Sequence, residues 1–352
     1  MRFKNVCIEA FGYELPENIV TSTELEQRLA PVYDKLKLSC GRLELMTGIK
    51  ERRFWNKGAL PSEGSIKAGE KAIKKADIDR EKLQCLIYSS VSRDFLEPAT
   101  AMVVHDALKL PSSAVAFDVS NACLGVVNGI MIVANMIDLG QVQAGIIVSG
   151  EHAGPLVETT IEQLLGDPAP SKEKLKNSFA SLTIGSGAVA VILTHADISK
   201  TGHRLLGGAG RLDSKNNTLC RGGANHGQSN MDWNSQAITM NTESEKLLQE
   251  GCLLAKETWA DTKNQLGWVN SDVDRIFSHQ VGKAHRRALL SHLEIELEKN
   301  FSTFEYLGNI GSASLPVTMA IGIDQNRLQS GQKAAMLGIG SGIVCSMFGV
   351  EW

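Results

Sequence analysis

Three segments of this chain occur twice, in the same order. Val6–Gly12 pairs with Leu205–Gly210, each a short apolar run closing on glycine. Leu86–Val91 pairs with Ile276–Val281, each an apolar strand that stops at a polar turn. Thr183–Leu193 pairs with Gly338–Phe348, each a Gly-Ser-Gly turn feeding a buried strand. A single Gly-Ser-Gly match is cheap; three matches in one order predict an internal duplication. The chain therefore reads as two similar α/β halves, residues 1–198 and 199–352. A length of 352 residues suits two domains or one large one.

Strand and helix patterns alternate within each half. Helical periodicity predicts helices over Glu63–Ala76, Ala99–Leu108, Leu124–Leu139, Thr242–Thr262, Lys283–Leu293 and Ser314–Ile323. Uninterrupted apolar runs such as Ala144–Val148 predict sheets buried on both faces. The expectation is two mixed sheets with helices outside and between them. Residues 165–177, polar and proline-containing, read as a surface loop or cap.

Composition narrows the function. A net charge of −3 and 5% aromatic residues argue against a nucleic-acid binder. No apolar run of membrane-spanning length occurs, so no span is expected. Met1–Asn5 leads straight into a strand-like segment and does not resemble a signal peptide. The seven cysteines are odd in number, widely spaced and without a CxxC pair, which fits neither a disulfide framework nor a zinc site. A cytoplasmic protein with no metal is expected. No phosphate-cradling glycine loop occurs in the right context, so neither nucleotide hydrolysis nor a redox cofactor is expected.

Cys123 is the candidate nucleophile. It lies where an apolar strand pattern ending at Val119 gives way to the helix pattern from Leu124. A cysteine at a helix start meets free N–H groups and the positive end of the dipole, which favour thiolate. Small neighbours, Ala122 and Gly125, leave the sulfur approachable. The same run also reads as a small core cysteine. His279 follows the strand pattern ending at Phe277, at the kind of strand tip where α/β proteins place their chemistry. Asn309 lies among small residues in Leu307-Gly308-Asn309-Ile310-Gly311. Singly, His279 also reads as a core histidine and Asn309 as a turn former. Together the three make a Cys-His-Asn set at strand–helix junctions, suited to acyl transfer.

Thr47-Gly48-Ile49-Lys50-Glu51-Arg52-Arg53, the Cys123 run, Ser278-His279-Gln280, Gly308–Pro316 and the Gly338–Gly342 turn resemble the thiolase-superfamily condensing enzymes, near ketoacyl-ACP synthase III. A closer resemblance is to the OleA-type enzymes of long-chain olefin biosynthesis. It is carried by Ser90–Thr100, Ala30–Leu36, Lys215–Gly222 and the ending through Trp352. The resemblance implies a duplicated thiolase fold with five αβαβα layers, normally a homodimer. It implies Claisen condensation of two long-chain acyl-CoA thioesters through acyl-Cys123, without decarboxylation, giving a 2-alkyl-3-oxo acid or its CoA thioester. His279 and Asn309 would hold the second thioester oxygen, and Glu97 would act as base, reaching the neighbouring subunit's site. The Cys123 N–H and one from the Gly340-Ser341-Gly342 turn, at Ser341, would form the oxyanion hole. Arg221 would meet a CoA phosphate. Coenzyme A is part of the substrate, so no cofactor is implied, and downstream pathway enzymes would take the product.

The sequence departs from the synthases in two places. Arg42 and Met46 stand where their CoA-contacting aromatic and Arg are found, and the stretch after His279 is Gln-Val-Gly, ending at Gly282. A decarboxylating synthase III is the alternative reading. Behind it stand a thiolase-like hydrolase or acyltransferase and a scaffold without catalysis. His152 reads as a neighbour of the site, His285 as a surface or structural histidine, and Asp272 and Asp274 as a turn and cap.

Overall fold

The structure, a computed structural model, describes residues 1–223 and 238–352. In the first half the strands are β1 (Val6–Glu14), β2 (Asn18–Thr21), β3 (Glu51–Phe54), β4 (Leu83–Ser89), β5 (Val115–Val119), β6 (Ala144–Glu151) and β7 (Gly187–His195). The helices there are α1 (Ser22–Arg28), α2 (Ala30–Lys35), α3 (Arg42–Thr47), α4 (Pro61–Ala76), α5 (Thr100–Ala107), α6 (Gly125–Asp138), α7 (Gly154–Gly166) and α8 (Lys172–Leu182). The second half contributes β8 (Arg204–Leu212), β9 (Cys220–Gly223), β10 (Thr239–Thr242), β11 (Arg275–Ser278), β12 (Asn300–Phe301), β13 (Lys333–Gly340) and β14 (Val344–Glu351). Its helices are α9 (Ser244–Leu266), α10 (Lys283–His292), α11 (Phe304–Leu307) and α12 (Ser314–Asp324).

The strand order proves the duplication. One set runs β1-β7-β6-β4-β5 and the other β8-β14-β13-β11-β12. Each set has two antiparallel pairs followed by two parallel ones. The three repeated sequence pairs fall at matching places: β1 with β8, β4 with β11, and β7 with β14. The two five-stranded mixed sheets are not separate, however. β1 and β8 meet at the pair Cys7–Arg204, and Phe3 N and Ile8 N donate to Leu206 and His203 carbonyls at 3.0 and 2.7 Å. Hydrogen bonding is thereby continuous through ten strands.

Alternate residues of each strand point to opposite faces, and the core divides accordingly. Ala10, Leu86, Tyr88, Ile146 and Ile192 pack on Ala68 and Ala72 of α4 and Val104 of α5. The opposite parity of the same strands, with Ile87, Ile147 and Val191, joins α6, α12 and one face of the second sheet through Phe277, Met336 and Phe348. The remaining face of that sheet, with Ile276, Leu337 and Met347, packs on Trp259 of α9 and Leu289 of α10. The layers are therefore α4/α5, sheet, α6/α12, sheet, α9/α10, the expected αβαβα arrangement. In α12 every residue from Ser314 to Gly322 is buried, as a helix between two sheets requires.

A separate cluster built from α1, α2, α7 and α8 caps one side. Within it lies a correction to the reading of 165–177 as a loop. Ser171 accepts a hydrogen bond from Lys174 N and starts α8 at Lys172, so only the first part of that stretch is a connection. Among the described residues no helix is long and apolar enough to cross a membrane.

Truncation of the shared middle layer has a definite expected cost. Ile130→Ala in α6, at a side chain with 0% exposure, should lower unfolding stability by about 2–5 kcal/mol. Lys67→Ala on the exposed face of α4 should change it by less than about 0.5 kcal/mol. Urea unfolding midpoints of the two variants check this.

Candidate active site

Cys123 sits on the turn between β5 and α6. Leu124 N donates to Asn121 O (2.9 Å) and Gly125 N to Ala122 O (3.3 Å), which folds the chain back sharply. Ala122 takes φ +45°, a left-handed conformation costing about 1 kcal/mol for a residue with a Cβ. The cysteine thus stands on a strained elbow, just ahead of the first residue of α6. A Cβ on Gly340 would lie 3.5 Å from Cys123 N and 3.6 Å from Leu124 N, so the end of β13 runs directly beside the elbow. Gly340, Ser341 and Gly342 follow as the turn into β14, with Ser341 half-buried.

The thiol does not behave as its helix-start position predicts. Burial pushes it up to about 12, and the nearby Glu151 carboxylate and Cys220 add to the rise. The cysteine's own N–H is the one contact opposing this. Part of the residue reaches solvent, but desolvation of the sulfur outweighs the dipole of α6.

His279 extends β11 by one residue, and its N–H donates to Leu337 O of β13 at 3.0 Å. Because β11 and β13 are parallel neighbours, His279 and Gly340 lie toward the same end of the sheet. The imidazole is buried, its Nδ1 has no partner, and burial pulls it down to about 3, with His285 contributing. His285, in the first turn of α10, is itself pulled down to about 4 by burial. Half-buried and an electrostatic neighbour of His279, it takes the structural of its two readings. Gln280 is pinned on both sides. Its Nε2 donates to Ser278 O (2.7 Å), and its Oε1 accepts from Thr303 N (3.0 Å) and Phe304 N (3.2 Å).

Asn309 is held by backbone and side chain. Its N–H donates to Thr183 O (3.0 Å) and its carbonyl accepts from Gly185 N (2.9 Å), beside the entry to β7. The approach requires glycine at 308, where φ is +67° and a Cβ would lie 2.5 Å from Thr183 O. Asn309 Oδ1 accepts from Gly311 N (3.0 Å) and Ser314 Oγ (3.2 Å). That orientation leaves Nδ2 as the donor facing outward; among the described residues it has no acceptor. Cys123 and the Asn309 loop converge through Gly125, whose Cβ position is 3.3 Å from the Ser312 side chain.

The other candidates lie elsewhere. Glu97 is exposed on the loop from β4 to α5, with no side-chain hydrogen bond among the described residues. Arg221 is exposed on β9, opposite Asn241. His152 is half-buried, its N–H donating to Ser92 Oγ (3.0 Å). Asp272 caps its own turn by accepting from Val269 N (2.7 Å), and Asp274 accepts from Lys333 N (2.8 Å). Val126, Val127, Ile130, Leu182, Ile310 and Leu315 are all packed in the core.

Two features escaped the sequence reading. Glu151, at the tip of β6 and buried, was passed over as the flank of His152. A charged residue ending an otherwise apolar strand was the available signal, the one that singled out His279. The second is a cleft of about 600 Å3 beside α10, where Lys50, Lys283, Arg286 and Arg287 outnumber Glu44 and Glu305.

Residues 46–196 match the thiolase N-terminal domain, and residues 264–352 match the C-terminal domain of 3-oxoacyl-[acyl-carrier-protein (ACP)] synthase III. Over its whole length the chain is 43% identical to the acyl-CoA:acyl-CoA alkyltransferase of Shewanella oneidensis, with 100% of both chains covered. It is 36% identical to the enzyme of that name from Xanthomonas campestris pv. campestris, again with 100% of both covered. A crystal structure of a cysteine-to-serine variant of Xanthomonas campestris OleA, with bound lauric acid and lauroyl-CoA, superposes with a TM-score of 0.92. It is 35% identical, and 99% of this chain and 100% of that one are covered.

The two depressed imidazoles predict a pH dependence of stability. Their folded values, about 3 and about 4, lie below the ordinary 6.5. The unfolded chain therefore takes up protons first as pH falls. Stability is full above 6.5 and is lost through the window from 6.5 down to about 3–4, at about 1.4 kcal/mol per pH unit per histidine. Unfolding free energies from pH 8 to pH 4.5 should show this slope, and His285→Gln should reduce it. An unchanged slope in that variant would remove His285 from the account.

Proposed function

The chain belongs to the acyl-CoA:acyl-CoA alkyltransferase family of thiolase-fold condensing enzymes, and on that premise we propose that it joins two long-chain acyl-CoA thioesters without decarboxylation. The observation that carries the reading is the 43% identity extending over the whole chain. In the first stage Cys123 attacks an acyl-CoA carbonyl, forms acyl-Cys123 and releases CoA with the thiol proton. The Cys123 N–H and that of Ser341 stabilise the tetrahedral oxyanion; in comparable sites one such donor contributes about 10²–10³ in rate. In the second stage a base removes a Cα proton from another acyl-CoA, and the carbanion displaces the Cys123 sulfur. The product is a 2-alkyl-3-oxoacyl-CoA, whose thioester hydrolyses to the 2-alkyl-3-oxo acid.

His279 and Asn309 hold the oxygen of the second thioester as its enolate forms. The outward Nδ2 of Asn309 supports this, and so does an imidazole kept neutral by burial, which donates without a charged form. Residues 1–198 then supply the nucleophile, and 199–352 the enolate donors. The working location is the cytoplasm.

Glu97 is the base, acting in the partner subunit's site. Its exposure, with no hydrogen bond or ion pair among the described residues, supports action across a homodimer interface. So does β5, which among the described residues ends the sheet beside β4 and leaves Val115 and Phe117 exposed, as are Phe95 and Leu96 of the Glu97 loop.

The basic cleft beside α10 takes the phosphates of CoA. Lys50, Lys283 and Arg287 carry no ion pair among the described residues, and the cleft adjoins the helix that follows His279. Arg221 does not line it, and serves as a second phosphate contact from β9.

Incubation of the protein with one long-chain acyl-CoA and no malonyl donor, followed by mass spectrometry, tests the reaction. The expected product is the 2-alkyl-3-oxo acid or the ketone derived from it. Glu97→Ala should abolish condensation and leave acyl-Cys123 intact. Condensation that starts only when malonyl-CoA or malonyl-ACP is added would assign the chain to the decarboxylating synthases. Steady-state kinetics test the cleft: Arg287→Ala should raise KM for acyl-CoA about 5-fold with kcat unchanged, and weaken its dependence on salt.

A further inference from the structure

Glu151 is a buried carboxylate, 5% exposed, with no cation paired to it among the described residues. Such groups persist only where donors surround them. Oε1 accepts from Ser312 Oγ (2.6 Å), Ser312 N (3.1 Å) and Val91 N (3.2 Å). Oε2 accepts from Ser92 Oγ (3.2 Å) and Ser92 N (3.4 Å). Three of the five contacts are backbone N–H donors, and Ser312 Oγ shares its single proton between Glu151 and Ser89 O.

The donors come from two places. Ser312 belongs to the loop that presents Asn309. Val91 and Ser92 open the loop that carries Glu97. The carboxylate also shapes the first loop directly: a Cβ on Gly311 would lie 3.0 Å from Glu151 Cδ and Oε1. Ser312 is tied in further by Ser149 Oγ (2.9 Å) and Ser89 O (2.9 Å). Cys123 feels the same charge across the turn.

We propose that Glu151 is a positioning residue for condensation: its carboxylate sets the Asn309 loop and the base of the Glu97 loop in one fixed relation, beside Cys123. The role deepens the condensing reading and rests on it. Acylation needs Cys123 and its oxyanion donors, which Glu151 does not touch. Condensation also needs Asn309 and the Glu97 loop, and both hang from this carboxylate. Because the Glu97 loop serves the partner's site, the same carboxylate links each subunit's enolate donor to the base delivered next door. A neutral side chain in its place would also remove a negative charge that disfavours thiolate at Cys123.

The test compares wild type, Glu151→Gln and Glu151→Asp as dimers. Three readouts are taken: alkylation of Cys123 by iodoacetamide against pH, acyl-Cys123 formed from one long-chain acyl-CoA, and condensed product. For Glu151→Gln the alkylation profile should move to lower pH by about one unit. Its condensation should fall about 10²-fold, while acylation changes less than about 5-fold. Glu151→Asp keeps the charge on a shorter arm, so its profile should match wild type while condensation still falls. The alkylation readout uses no acyl-CoA. If wild type itself fails to condense, the function reading fails, and the profile still judges Glu151. A Glu151→Gln profile coincident with wild type overturns the proposal. So do equal losses of acylation and condensation, and so does wild-type condensation by Glu151→Asp. Should Glu151→Gln not fold, the Asp variant decides alone.

Discussion

Burial of α6 and α12 between the two sheets is the constraint on which the remainder rests. Each helix is apolar where it meets a sheet, and neither can slide without opening voids in a close-packed layer. Their first turns are therefore fixed, and beside the first turns stand the candidate site residues. Cys123 precedes α6 and Asn309 precedes α12 by a few residues each. The two helix starts touch, through Gly125 against Ser312. A duplicated fold thus brings corresponding ends of its two halves into one crevice, and each half has specialised its own end.

Burial governs the titratable groups gathered there. Burial raises the thiol of Cys123 and lowers the imidazoles of His279 and His285, so all three rest uncharged. Neutral donors in a low-dielectric pocket act strongly on an oxyanion and need no reorganisation when it forms. The same burial disfavours the thiolate of Cys123.

Much of this was legible from the residues alone. The duplication, the predicted helices, matched to within a few residues, and the junctions bearing Cys123, His279 and Asn309 all follow from local pattern. Strand-to-helix punctuation is a short-range signal, and this chain punctuates with glycine and serine. What was not legible depends on distant partners. The joining of β1 to β8 pairs edge strands roughly 200 residues apart in sequence and leaves no local trace. The elevated thiol of Cys123 reflects desolvation by both halves, which a helix-start argument cannot include. His285 gained its burial in the same way. Glu151 showed only as one acidic residue at a strand end, because its hydrogen-bond partners come from two loops distant from it in sequence.

The shared middle layer also governs how the chain leaves the ribosome. When β7 has been made, the inner face of the first sheet and the apolar flank of α6 have no cover. The residues that will complete their layer, in α12 and the second sheet, lie roughly 120 positions further on. At typical synthesis rates that interval is on the order of 10 s, long for so much exposed apolar surface. The first half therefore keeps that apolar surface exposed until the second has been made. Neither half, cut from the other, has a place to bury its central helix.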